Sequence, residues 1–206
     1  MTAHLRSDAR TSKQRARADA VGREPTLDGL IVGGGPAGLT AALCLARFER
    51  RTLVVDAGEP RASWIPTSHN IPVFVEGISG RDLLARQREH VERYGVPVLP
   101  GTVTEIGKGP DGFVTRIDAD GGTRTVRARR VLLVTGAIDV EPELPDLPDA
   151  VQRGLVRYAA GRVVRGLDQI VVAVGHAAVT ATDIHNRCEL PTEDEPGGSA
   201  HRTHRV

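Results

Sequence analysis

The chain has 206 residues, 40% of them hydrophobic, enough apolar side chain for one substantial core. A formal net charge of +1 gives no general attraction to nucleic acid or an anionic membrane, so neither is expected as a partner. The two cysteines, Cys44 and Cys188, form no CxxC pair, which excludes a disulfide framework and fits a reducing, cytoplasmic setting.

Residues 1–26 hold no apolar stretch of signal-peptide type and are expected to form a disordered tail. Apolar density begins at Leu27, and Leu30-Ile31-Val32 reads as a buried strand ended by Gly33-Gly34-Gly35. Leu39, Ala42, Leu43 and Ala46 recur at helical spacing and predict a helix over Pro36 to Arg47. Thr52 to Val55 predicts a second strand closing on Asp56, the whole forming a right-handed parallel crossover.

Residues 58–80 contain Pro60, Pro66, Asn70 and Pro72 and read as irregular. Ser79 predicts the cap of a helix from about Arg81 to Tyr94, closed by Gly95. Short strands are expected at Val96 to Val98, Thr102 to Ile106, and Val131 to Val134. Phe113 to Ile117 and Thr123 to Ala128 flank an Asp/Gly turn and predict a hairpin. Glu141 to Pro148 is proline-punctuated and reads as a linker or surface loop. Ile170, Val174, Ala177, Ala178, Ala181 and Ile184 lie on one helical face, and residues 189–206 are expected to form a second disordered tail.

Gly33, Gly35 and Gly38 make the pattern GxGxxG between a strand and a helix, with Asp56 eighteen residues further on. This is the dinucleotide-binding fingerprint, in which the acidic residue is expected about 20 residues downstream. The first glycine serves the tight turn, the second admits a pyrophosphate to the backbone, and the third lets helix and strand pack closely. The pyrophosphate would lie against the unsatisfied N–H groups at the start of the helix, beside Pro36 and Ala37, and Asp56 would accept from ribose hydroxyls. By itself the motif does not separate FAD from NAD.

The ordered run DGLIVGGGPAGLTAALCLAR, LVVDAGEPR, SWIPTSHN, GISGRDLLARQREHVERYGV and VLLVTGA resembles the FAD domain of thioredoxin reductase-like flavoproteins of the pyridine nucleotide-disulfide oxidoreductase family. The resemblance runs from Asp28 to Tyr158 and resumes at Ala159 with AAGRVVRGLDQIVVAVGHAAVTATDIHN. It implies an α/β fold: a three-layer FAD-binding Rossmann-like domain with a parallel sheet and a β-meander, over residues 27–188. In the family an NADPH-binding domain carrying the CxxC pair separates two FAD halves. Here Tyr158 runs directly into Ala159, no second glycine fingerprint follows, and the halves 27–158 and 159–188 are expected to be joined directly.

Further FAD contacts are implied by the resemblance alone. Asn70 would stand near the flavin and Val103 beside adenine. Thr135 and Gly136 form the turn after the last strand of the first half, and Gly161 and Arg162 fall in the motif touching ribityl and pyrophosphate. Gln169 and Ile170 open the helix facing the flavin pyrimidine. Arg162 departs from the family, which has aspartate there; arginine only donates hydrogen bonds. Losing that acceptor costs about 1.5–3 kcal/mol, or one to two decades of affinity.

The implied function is an FAD-dependent oxidoreductase acting on a small molecule, with no nicotinamide domain or redox dithiol of its own. The alternatives are a non-catalytic flavin- or partner-binding module and a decayed remnant with weak FAD binding. A homodimer, a separate reductase and a full-length relative are the protein partners that the resemblance allows. No catalytic residue is assigned, and no metal site is expected. Cys44 reads as a small core residue, Cys188 as an exposed one, and Trp64 either as a shield for the flavin or as loop packing.

Overall fold

A computed structural model describes residues 25–58, 60–136 and 169–188. The junction of Tyr158 with Ala159, the residues Gly161 and Arg162, the Glu141 to Pro148 loop and the second tail lie outside the described residues, as do residues 1–24 of the first tail. The described elements are β1 (Leu27–Val32), α1 (Pro36–Arg47), β2 (Thr52–Asp56), a 3-10 turn (Arg61–Trp64), α2 (Gly80–Arg93), β3 (Val98–Gly109), β4 (Gly112–Ala119), β5 (Gly122–Leu133) and α3 (Ile170–Arg187).

Residues alternating along β1 divide the interior into two cores. Ile31, with Val54 and Leu132, packs beneath the helices against Leu39, Leu45, Leu84, Val91, Ala177 and Ile184. Leu30 and Val32, with Val55 and Val131, face the other way and meet Ile117 and Ala128 of the antiparallel strands. A strand buried on both faces reads as a continuous apolar run, as LIV does. The result is three layers: helices, a parallel sheet and a β-meander, the α/β architecture that the resemblance implied.

Two long strands serve both sheets. The parallel layer is ordered β3-β2-β1-β5, with β1 beside β2 and β5, and Val98 to Pro100 beside β2. The same β3 then pairs antiparallel with β4 from Gly101 onward. Residues 122–128 of β5 complete the meander, while Ala128 to Leu133 line β1. Hydrogen-bonded neighbours therefore form a closed circuit.

This continuity corrects the expectation of short separate strands. Pro100 stands at the last pairing with β2, where losing a donor interrupts little of the ladder. Gly101 is the bend: a Cβ there would lie 2.7 Å from the Asp118 carbonyl oxygen, so only glycine lets β3 cross between layers. In β5 the charged pair Arg129-Arg130 does not end the strand, because Arg129 donates to buried Asp28 (3.3 Å). Val96 is buried without joining a strand.

Local signals hold elsewhere. The Ser79 hydroxyl accepts from the Asp82 amide (3.0 Å) and donates to its carboxylate (2.7 Å), fixing the start of α2. Gly95 closes that helix at φ 71°. The hairpin turns at Asp120-Gly121, with Ala119 paired to Gly122. No described helix is long and apolar enough to cross a membrane.

α3 is docked at its far end by Arg50, which is buried in the corner between α1 and β2. Its guanidinium donates to His185 Nδ1 (3.1 Å) and to the carbonyls of His185 (3.1 Å) and Cys188 (3.0 Å). Phe48 stacks on the His185 ring at 4.2 Å between centroids. The ends of α1 and α3 thus share one edge of the molecule, so the two helices run in the same sense and their N-termini open toward the other edge.

Candidate functional site

At that other edge β1 ends in the glycine turn. Gly33 adopts φ +119°, and a Cβ on it would overlap the Val134 carbonyl, so both conformation and space demand glycine. Its amide donates to the Val55 carbonyl (2.8 Å), and the Val134 amide donates to the Val32 carbonyl (2.9 Å). Gly38 is shaped by packing, since a Cβ would overlap the Gly33 carbonyl oxygen. Gly35 differs: an added Cβ would make only an ordinary contact, with Pro60 Cβ at 3.7 Å, so packing does not demand glycine there.

Gly35 is the N-cap of α1 and contributes no side-chain cap; Pro36 opens the helix and the first turn holds no acid. Among the described residues no side chain therefore caps the first N–H groups, and no acid in the first turn offsets the positive end of the helix. A backbone turn that carries no side chain at Gly35, beside uncapped amides, fits a pyrophosphate. Ala37, buried at the same turn, keeps the approach small.

Asp56, 7% exposed, ends β2 next to this turn. Its Oδ1 accepts from the Gly58 amide (3.1 Å) and its Oδ2 pairs with Arg88 of α2. Gly34, which the fingerprint leaves unspecified, lies against that carboxylate, and a Cβ there would overlap it. Neither Gly34 nor Arg88 stands out in the sequence reading. The only sequence signal for Gly34 is a third consecutive glycine, and for Arg88 there is none.

The structure thus brings together Gly33, Gly35, Pro36, Ala37, Gly38 and Asp56, with Thr135 following Val134 beside Gly33 and Gly136 next at φ +84°. Gln169 is the N-cap of α3, its carbonyl accepting from Ala173 (3.1 Å), and Ile170 packs on the helix-side core. That helix also begins with no side-chain cap and no acid, and it opens toward the same edge as α1. Val103 lies on β3 at a bulge opposite Ile117 and packs against the meander-side core. Asn70 is exposed in the loop closed by the Ser68–Ile78 bridge, its Oδ1 accepting from the Ser68 hydroxyl (2.7 Å).

Trp64 is 68% exposed, so it is not packed into the loop. Cys188 is buried, not exposed, because Arg50 draws its carbonyl inward. Burial pushes its thiol up despite opposing pulls from Arg130 and Arg50. Cys44 is half-buried, and burial raises its thiol likewise, against the pull of Arg47. Both are therefore protonated core residues near neutral pH. Among the described residues no cluster of His, Cys, Asp and Glu could hold a metal ion.

The pyridine nucleotide-disulphide oxidoreductase profile matches residues 27–166, more than half of the chain. The chain therefore belongs to that family, and within it is thioredoxin reductase-like. Thioredoxin reductase of Bacillus subtilis (strain 168) is 31% identical over 161 residues, covering 76% of this chain and 49% of that protein. The Streptomyces clavuligerus thioredoxin reductase is 31% identical over 149 residues, covering 71% and 45%. The solved structure of thioredoxin reductase from Giardia duodenalis superposes with a TM-score of 0.51 at 23% identity, over 64% of this chain and 42% of that one, which bears on the fold alone. The chain spans about half the length of the curated relatives it matches. FAD is the cofactor of this family's thioredoxin reductases.

Proposed function

We propose that the chain is an FAD-dependent oxidoreductase of the thioredoxin reductase-like kind acting on a small molecule. The observation that carries this is the glycine turn at Gly33–Gly35, the start of α1 with no side-chain cap among the described residues, and a buried carboxylate, Asp56, at the end of β2. FAD, when bound, supplies a two-electron redox centre. Gly35, Pro36 and Ala37 would hold its pyrophosphate, Asp56 its ribose, and Gln169 and Ile170 would turn the positive end of α3 toward the flavin ring.

Asn70, Val103, Thr135, Gly136, Gly161 and Arg162 complete the proposed contact set, with Arg162 pairing the pyrophosphate as a forked cation. The direct run from Tyr158 to Ala159 leaves the sequence without the nicotinamide insert. Electrons would then come from the substrate itself, with oxygen or a separate carrier as acceptor, or from a partner reductase.

The purified chain is mixed with FAD, desalted, and its visible spectrum recorded. A retained flavin band that anaerobic NADPH does not bleach is the expected outcome. A colourless chain that stays so in excess FAD would sink the flavoprotein reading, and bleaching by NADPH alone would refute the missing nicotinamide site.

A further inference from the structure

α2 meets the candidate dinucleotide site through two consecutive side chains. Gln87 Nε2 approaches the Pro36 carbonyl (3.5 Å) and the Thr40 hydroxyl (3.4 Å), reaching the first turn of α1. Arg88, the next residue, pairs with Asp56 Oδ2. The Asp56 side chain is 8% exposed against 36% for Arg88, so the carboxylate is the enclosed partner and the guanidinium closes over it from the rim. With Gly34 on one side and the Gly58 amide on Oδ1, the carboxylate is held from three directions.

We infer that Arg88 is a positioning residue that fixes Asp56 as the acceptor for an unphosphorylated adenosine ribose. This rests on the flavin-binding reading of the glycine turn. A carboxylate offers about four lone-pair directions, and the Gly58 amide and Arg88 take one on each oxygen. The remaining directions are left for ribose hydroxyls. Without the guanidinium, nothing among the described contacts holds Oδ2, and the side chain is free to turn away from the turn it serves.

A rival role for a cation at this place is binding a ribose 2′-phosphate. The geometry opposes it: the guanidinium is already engaged by Asp56, and a phosphate brought to it would meet that carboxylate's like charge. The pair therefore recognises a free 2′-hydroxyl and rejects a 2′-phosphate.

The test uses the full chain and two ligands, FAD and its analogue lacking the adenosine 2′-hydroxyl, titrated by flavin fluorescence. A hydrogen bond to a charged acceptor makes wild type prefer FAD about tenfold or more. Arg88→Gln and Arg88→Met are expected to bring that preference to within about twofold, while Arg88→Lys keeps most of it. Thermal midpoints of the ligand-free proteins are recorded alongside. A folded Arg88→Gln or Arg88→Met that retains the wild-type preference overturns the inference, even if its midpoint falls, because the role is then only structural. Equal binding of both ligands by wild type overturns it as well. Failure of wild type to bind FAD is a different result: it removes the flavin reading, and this inference with it.

Discussion

Gly35 and Gly38 belong to one fingerprint, yet the structure assigns them different duties, and alanine at each separates binding from folding. At Gly35 the backbone is φ −78° and ψ −176°, open to any residue, and an added Cβ meets nothing nearer than Pro60 at 3.7 Å. Replacing an N-cap glycine by alanine costs roughly 0.5–1 kcal/mol, and the stiffer unfolded chain returns about 0.4–1 kcal/mol. The net is near zero, so the thermal midpoint of Gly35→Ala should move by about 2 °C or less. The new methyl stands where a pyrophosphate would approach the amides. Loss of one charge-assisted hydrogen bond, about 1.5–3 kcal/mol, raises the FAD dissociation constant about 10- to 100-fold.

At Gly38 the methyl would strike backbone, the Gly33 carbonyl, which cannot rotate aside. Overpacking of this kind costs about 1–3 kcal/mol, and Gly38→Ala should melt several degrees lower. Differential scanning fluorimetry and flavin fluorescence titration on the two variants decide the matter. Wild-type FAD affinity in Gly35→Ala, or equal thermal loss in both, would refute the division of roles.

Thr115 is fully buried on β4 with its hydroxyl unpartnered among the described residues, two residues from Ile117 on the same face. Thr115→Val removes that orphan and should be stabilising by about 1 kcal/mol; a loss of stability in urea melts would mean the hydroxyl has a partner. His185 has its imidazole pushed below the ordinary 6.5, by burial first and by Arg50 second. A folded value below the unfolded one means the unfolded chain takes up the proton first. Stability should be full above pH 6.5 and fall as pH drops through the folded value. His185→Gln should flatten that slope in melts taken from pH 7 to 5, and an unchanged slope would place the titration elsewhere.

The elements legible in the sequence are those whose signals are local. The helix from Pro36 to Arg47 follows from apolar spacing, the start of α2 from the Ser79 cap, and the hairpin from Asp120-Gly121. The continuity of β3 and β5 was not legible. Pro100-Gly101 and Arg129-Arg130 look like breaks until the strand crossing between layers and the Asp28 partner are known. The same limit governs the site. The glycines and Asp56 lie in one contiguous unit and can be read in order. Arg88 comes to Asp56 from 32 residues away on a separate helix, where spacing along the chain carries no information about which carboxylate it meets. The burial of Cys188 likewise depends on Arg50, 138 residues earlier.

Those two long-range contacts sit at opposite ends of the helical layer, and the separation bears on how the protein divides stability from binding. Arg50, Phe48 and His185 bind the C-terminal end of α3 to the end of α1. The glycine turn, Asp56 and Arg88 occupy the N-terminal end of α1. Twelve residues of α1 at 1.5 Å rise put about 18 Å between them, beyond the 7–10 Å within which perturbations commonly couple. The corner at Arg50 can therefore hold α3 in register while imposing no side chain on the binding edge. Both helices reach that edge without an acidic first turn or a side-chain cap. Helix ends left uncapped in this way lower stability unless a ligand meets them, and among the described helices α1 and α3 begin so, whereas α2 is capped by Ser79.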